Sequence, residues 1–208
     1  MSTFPTPLMP AADFVAAALQ NSVHDVLLER INELQLPDAW IVAGCLSQTM
    51  WNVLSGREIG YGIDDYDIFY FDPDLSWAAE NEVIQSFQTC ARRVGVRVEV
   101  RNQARVHLWY PAKHGKPYPA LSSATNGIDR FLTRCTQIGL SSNGRDIYAP
   151  AGVDDVRSFI VRPNLTPNFS ADAYRRKSER WQALWPELQI VPADDCGTSN
   201  RQDSDDLR

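Results

Sequence analysis

Long hydrophobic runs are missing from this sequence. The longest uncharged apolar stretch, AWIVAGCL from Ala39 to Leu46, falls far short of the roughly 20 residues a membrane-spanning helix needs. Lys and Arg are absent before Arg30, so there is no basic segment to open a signal peptide, and a cytoplasmic location with no membrane partner is expected. Cysteine is sparse: Cys45, Cys90, Cys135 and Cys196 are widely spaced without a C-x-x-C pair, which argues against a zinc ribbon, a redox dithiol or a disulfide framework. A surplus of positive charge is lacking too. The net charge is −6, and the stretch PADDCGTSNRQDSDDLR (192–208) carries five acids and two bases, leaving 21 acids and 18 bases for the body. A mildly acidic body argues against a long nucleic-acid partner, which normally meets a basic stripe. Neither a Walker A lysine loop nor a dinucleotide-binding glycine fingerprint is present, and there is no internal repeat.

What remains is ample for a core: 44% apolar residues, 10% aromatic, in 208 residues. The polar, Asp/Ser/Gly-rich stretch 192–208 cannot bury a core and reads as a disordered acidic tail. Helical spacing of apolar residues predicts two N-terminal helices within 1–37, with Asn21 or Ser22 capping the second. A main unit over 38–191 then begins with the strand AWIVAG, a glycine turn and the helix CLSQTMWNVLSG, stopped by Gly56. The loop REIGYG leads to the strand GIDDYDIFYFD, and Ser76 is placed to cap a helix reaching Val94, ended by Gly95. VRVEVR alternates as a strand, NQARVHLWYPAKHG fits a helix capped by Asn102, and Asn143-Gly144 is a strong hairpin signal between CTQIGL and IYAP. A short helix is expected in ATNGIDRFL, and helices in GVDDVRSF and ADAYRRKSERWQALWP complete the chain. The fold class is α/β (α+β): a small mixed sheet packed by helices.

Three acids stand out. Asp65 and Asp67 lie two apart in a strand-like stretch, so their side chains share a face. Two carboxylates held together raise each other's cost of ionisation unless a cation lies between them, and hard cations such as Mg²⁺ or Mn²⁺ take carboxylate, water and phosphate oxygens. For an isolated Asp-x-Asp, simple solvation is the default reading. Here a third carboxylate, Glu99, also sits on a strand, and Gly44 sits where a strand turns into a helix. Such a turn presents free backbone N–H groups, from Cys45 and Leu46, to phosphate at the positive end of the helix dipole, with the Ser47 hydroxyl in the same turn. Together these groups are the parts needed to hold a nucleoside triphosphate and its metals.

The motifs VAGCLS, DYDI and VEV resemble the polymerase-β-type nucleotidyltransferase superfamily: an apolar strand ending in Gly-Gly or Gly-Ser, a helix, an Asp-x-Asp strand and a later strand bearing a third acid. More narrowly, AGCLSQTMWN, DDYDIFYFDPDLSWAAE, NQARVHLWYP, IYAPAGVDDVRSFIVRPN and RWQALWP, in that order over residues 38 to 190, resemble a poorly characterised bacterial nucleotidyltransferase-like family. The resemblance implies transfer of a nucleoside monophosphate from an NTP to an unknown small-molecule or protein acceptor, with Asp65, Asp67 and Glu99 as catalytic and metal-binding residues and Gly44, Cys45 and Ser47 on the phosphates. Two departures are Cys45 in place of the second Gly or Ser, and the twenty residues between Gly44 and Asp65.

Arg101 shares Glu99's strand face and is a candidate for the triphosphate, or an ion-pair partner of Glu99. Lys177 falls on the apolar stripe of the last helix, three residues from Tyr174 and four from Trp181, where it either snorkels to water or reaches the nucleotide; snorkelling is the expectation. His107 is placed near the site, Lys113, His114 and Lys116 in a solvated loop, and Asp154 and Asp155 in the first turn of a helix. A metal-dependent glycosyltransferase would need a larger nucleotide-binding half before its Asp-x-Asp, and a phosphatase with an aspartate nucleophile would not follow Asp67 with Ile68 and Phe69. A nucleotide-binding or protein-interaction module of the same fold without chemistry is the remaining alternative.

Overall fold

The computed structural model describes residues 11–193, so all but the first two residues of the expected tail lie outside it. The N-terminal helices are α1 (Ala11–Ala18) and α2 (Ser22–Glu33), the second capped by the Asn21 side chain accepting from the Val23 N–H. The strand β1 (Trp40–Val42) runs into α3 (Gly44–Ser55), closed by Gly56 in the left-handed conformation. Next come β2 (Tyr66–Tyr70) and α4 (Trp77–Val94), with Ser76 and Gly95 as its caps. The strand β3 (Val98–Asn102) passes through a tight turn into α5 (Val106–His114), and Asn102 accepts from the Ala104 N–H as expected of a cap. After α6 (Ala124–Ile128), the hairpin β4 (Gly139–Ser141) and β5 (Ile147–Tyr148) turns at Gly144, whose φ is 66°. The last elements among the described residues are α7 (Asp154–Arg157), β6 (Ile160–Val161), α8 (Ala171–Leu184) and β7 (Gln189–Ile190).

Five strands form one mixed sheet in the order β3-β2-β1-β4-β5; only β2 and β3 are parallel, joined by the crossover helix α4. This is the expected small mixed sheet with helices. Two points of the sequence reading change. Residues after 150 were expected to be helical, yet β6 and β7 form a separate parallel pair; they are two residues each, too short for alternation to register. Asp65 is not in the strand, which starts at Tyr66, although the Tyr66 N–H already bonds the Arg97 carbonyl at 2.9 Å.

The two faces of the sheet differ. Ile41, Tyr66, Ile68, Tyr70 and Val100 are buried in a core shared with Phe14, Leu27 and Ile31 of the N-terminal helices. On the opposite face, register places Val42 beside Asp67, Asp67 beside Glu99, Trp40 beside Phe69, and Phe69 beside Arg101. That face has only a small apolar cluster, Val42, Ala43 and Ile128, with Trp40, Phe69, Phe131 and Tyr148 packed on it. Its carboxylate end is left uncovered by this cluster.

The helix α3 is buried around its whole circumference from Cys45 to Asn52, with only the end, near Leu54, reaching solvent. Its polar residues therefore need partners. Asn52 donates to the carbonyls of Ile59 (2.9 Å) and Tyr61 (2.8 Å) and accepts from Trp185 Nε1 (2.8 Å). These bonds fasten the loop before the aspartates to α3 and to the chain after α8. Gly62, with φ 68°, lies so close to the Trp185 ring that a Cβ there would come within 2.6 Å of it. The long insertion between Gly44 and Asp65 is thus a packed element.

Candidate active site

The turn at the end of β1 is the most strained element near the acids. Ala43 has φ 67° and ψ −134°, a region close to glycine-only backbone, and such outliers cost roughly 1 to 3 kcal/mol and cluster at functional sites. Gly44 was expected at the turn between strand and helix, and it is the first helical residue. A Cβ there would meet Gln48 at 3.5 Å and Trp181 at 3.9 Å, ordinary contact distances, so its conformation does not require glycine. The Gly44 and Cys45 N–H groups occupy the first turn of α3, where an α-helix supplies no intrahelical acceptor. Leu46 N–H is not available, since it bonds the Ala43 carbonyl at 3.3 Å. Ser47 also departs from expectation. It is fully buried and donates to the Cys135 carbonyl at 2.5 Å, so its hydroxyl anchors α3 rather than facing a ligand. The Cys45 thiol turns inward to the Val42 carbonyl (3.3 Å), and burial, with Asp67 nearby, pushes its pKa far up.

Asp67 is the electrostatic centre. Burial first, and then the charges of Asp65 and Glu99, push its pKa up to about 7 against the downward pull of Lys177 and Arg101. Its proton affinity is therefore that of a desolvated carboxylate among other acids with incomplete compensation. Asp65 bonds Arg97 at 3.0 Å, and Glu99 lies 3.6 Å from Arg101; Glu99, Asp65 and Arg97 are all substantially exposed. Because those two carboxylates turn toward their arginines, no three acid, histidine or cysteine side chains among the described residues converge on a point where they could hold a metal ion as they stand. The trio shares a region of one face without forming a ready cage.

Lys177 corrects the snorkelling expectation. Its ammonium sits 4.8 Å from the centroid of the Trp181 ring, in the field of Asp67, Cys135 and Asp65, and burial lowers its pKa despite those attractions. The helix α8 can hold a lysine there because Trp181 and Trp185 pack edgewise and tilted against Trp51 of α3, at 5.5 and 5.4 Å between ring centroids. Arg180 adds an ion pair to Asp64 at 2.9 Å. Sequence reasoning missed that strap, and missed Ala43; nothing in the letters marks an alanine with positive φ.

His107 is half-buried with Nδ1 lacking a hydrogen-bond partner. Lys113 and His114 are not loop residues but the last turn of α5. Lys116 is not simply solvated: its ammonium donates to the Phe169 carbonyl at 2.9 Å. Asp154 and Asp155 do open α7, where Asp155 pairs with Arg162 at 3.0 Å. No helix among the described residues is long and apolar enough to cross a membrane.

Comparison with known proteins agrees with this architecture. A solved NMR structure described as revealing a CCA-adding enzyme head domain is similar over 86% of this chain and 95% of its own, with a TM-score of 0.68 and 25% sequence identity. A search of curated proteins finds no match. A family described as nucleotidyltransferase matches residues 29–190, which include the strained turn, all three acids and α8. The chain belongs to that nucleotidyltransferase family.

Proposed function

We propose that the protein transfers a nucleoside monophosphate from an NTP to an acceptor hydroxyl, with Asp65, Asp67 and Glu99 as the acidic centre. The observation that carries this reading is the placement of Asp67 beside Glu99 in the β2–β3 register, with Asp65 two residues before it and the N-terminus of α3 next to Val42, its partner on β1; burial and the neighbouring acids raise the Asp67 pKa in keeping with it. A set of three hard oxygen donors short of positive charge fits Mg²⁺ or Mn²⁺, and Asp65, Asp67 and Glu99 are the residues that would hold it. Once bound, such a cation neutralises phosphate charge and polarises the phosphoryl group.

The chain's own groups have separate tasks. The Gly44 and Cys45 N–H groups, at the positive end of α3, donate to the β- and γ-phosphates. Lys177, held on the Trp181 ring beside Asp67, supplies a positive charge to the phosphates, and Arg101 supplies another from the β3 side. The acceptor oxygen forms a bond to the α-phosphorus as the bond to the bridging oxygen breaks, and pyrophosphate leaves. The hydroxyl proton passes to Glu99, the acid with the widest exposure to an incoming molecule. Catalysis on this scheme comes from positioning and charge stabilisation. The similarity to a chain described as a CCA-adding enzyme head domain supports nucleotidyl transfer as the reaction class.

The test is incubation with each α-labelled NTP, Mg²⁺ or Mn²⁺ and a cell extract. Label is expected in an acceptor together with released pyrophosphate, and Asp67→Asn should abolish both. Nucleotide binding with no transfer to any acceptor would favour the non-catalytic module.

A further inference from the structure

A cavity of about 490 Å³ opens from the same sheet face, beyond the acids. Phe69 and Arg101 line it, and they stand two residues on from Asp67 and Glu99 along β2 and β3, so its floor begins roughly 7 Å from the carboxylate pair. The phosphate turn lies the other way. Val42, opposite Asp67, leads out to Ala43, whereas Trp40, opposite Phe69, marks the cavity side. The carboxylates therefore stand between the turn and the cavity, and Arg176 of α8, next in the chain to Lys177, is also part of the cavity lining.

The chemistry of the lining is one-sided. No Asp or Glu side chain lines it, while Arg101, Lys116, Arg130 and Arg176 do, in a chain whose net charge is −6. Among the described residues, Lys116, Arg130 and Arg176 have no carboxylate within ion-pair distance. Two of the three are positioned by neutral groups. The Lys116 ammonium donates to the Phe169 carbonyl, and the Arg130 guanidinium donates to Asn168 Oδ1 at 3.3 Å while lying 5.0 Å from the Tyr118 ring centroid. Cations gathered in a concave site without counter-ions focus a positive potential there, and guanidinium groups match phosphate or carboxylate oxygens two at a time. The volume suits a small molecule.

We infer that this cavity binds the acceptor, and that the acceptor is a small anionic molecule whose phosphate or carboxylate pairs with Lys116, Arg130 and Arg176 while its hydroxyl faces Glu99 and Asp67. The inference rests on the nucleotidyl-transfer reading, because only that reading gives the open face two ligands.

Isothermal titration of the full chain with ribose 5-phosphate, gluconate and ribose separates the phosphate arm, the carboxylate arm and the neutral control, and a parallel titration with MgATP reports the nucleotide site. At least one of the two anions is expected to bind saturably, and ribose is not. Arg176→Glu, on an exposed helix surface, and Arg130→Gln should each weaken the anion by about tenfold or more while leaving MgATP affinity within about twofold, in proteins shown to be folded by their melting transitions. Absence of saturable binding by either anion, equal binding of ribose, or anion binding unchanged in both variants overturns the inference. So does a parallel loss of MgATP affinity, which would make the cavity the nucleotide's own. MgATP failing to bind the wild-type protein while the anion binds would remove the nucleotidyl-transfer reading, and the acceptor role with it.

Discussion

His24 ties the protein's stability to pH through a group that touches the strand carrying Asp67. Its ring is fully buried, with Nδ1 2.8 Å from the Ala18 carbonyl and Nε2 without a partner. The Nδ1–H donates to that carbonyl, so the neutral ring is satisfied on one side and protonation would bury an unpaired charge on the other. Burial lowers the His24 pKa from 6.5 to about 4, offset in part by the Ala18 carbonyl. Between those values the unfolded chain holds a proton that the folded chain rejects, so stability must rise with pH across that window. The contribution is fully present above the unfolded pKa and is lost as pH falls toward the folded one. From about pH 7.5 down to about pH 4.5 the loss from this single group is roughly 2.5 kcal/mol, a large share of the 5 to 15 kcal/mol typical of a domain. His24→Asn keeps an N–H near the Nδ1 position and removes the titration. Urea unfolding of both proteins across that range should show the wild type losing about 2.5 kcal/mol more than the variant, whatever constant penalty the smaller side chain brings. Equal pH dependence, or an NMR titration of His24 near its ordinary value, would refute the reasoning. Because Tyr66 meets the His24 ring edge-on at 5.6 Å and its hydroxyl accepts from Asn21, acid loosening here should be felt first at the start of β2.

Divalent cation at ~100 times its dissociation constant should stabilise the protein by roughly 2.7 kcal/mol, and Asp65→Asn with Asp67→Asn should remove that gain; a melting shift unchanged in the double variant, with ionic strength matched, would place the metal elsewhere. Glu99→Gln should cost less than ~1 kcal/mol of stability, since its pairing with Arg101 is exposed, yet lower turnover by about 100-fold or more, and near-normal turnover would reduce Glu99 to an ion-pair partner. Asn52→Ala strips partners from the Trp185 indole and from the Ile59 and Tyr61 carbonyls at once. A destabilisation of about 2 to 4 kcal/mol in chemical unfolding is expected, and a loss under ~1 kcal/mol would show that the loop before the aspartates is held by other contacts.

The sequence alone was enough for the order of elements as far as the β4–β5 hairpin, because that order rests on local rules, and its motifs were enough for the resemblance that gave the reaction class. Side-chain alternation puts Glu99 and Arg101 on one face of β3, Ser76 and Gly95 bracket α4 by their capping chemistry, and Asn143-Gly144 bends the β4–β5 hairpin; each follows from neighbours a few residues away. Strand pairing was not legible. That Asp67 stands beside Glu99 depends on the parallel register of β2 and β3, which the crossover through α4 sets and no local pattern encodes. Burial, too, was decided by tertiary packing. Ser47 looks available at a helix start, but α3 is enclosed on every side, and its hydroxyl is spent on the Cys135 carbonyl 88 residues away. Lys177 looks like a snorkelling lysine on one helix, yet the contact of Trp181 with Trp51 turns that stripe toward the acids. Ala43 is the extreme case: an ordinary alanine in sequence, it adopts a backbone conformation near the glycine-only region because β1, paired on both sides, and the buried α3 leave the connecting residue no other path.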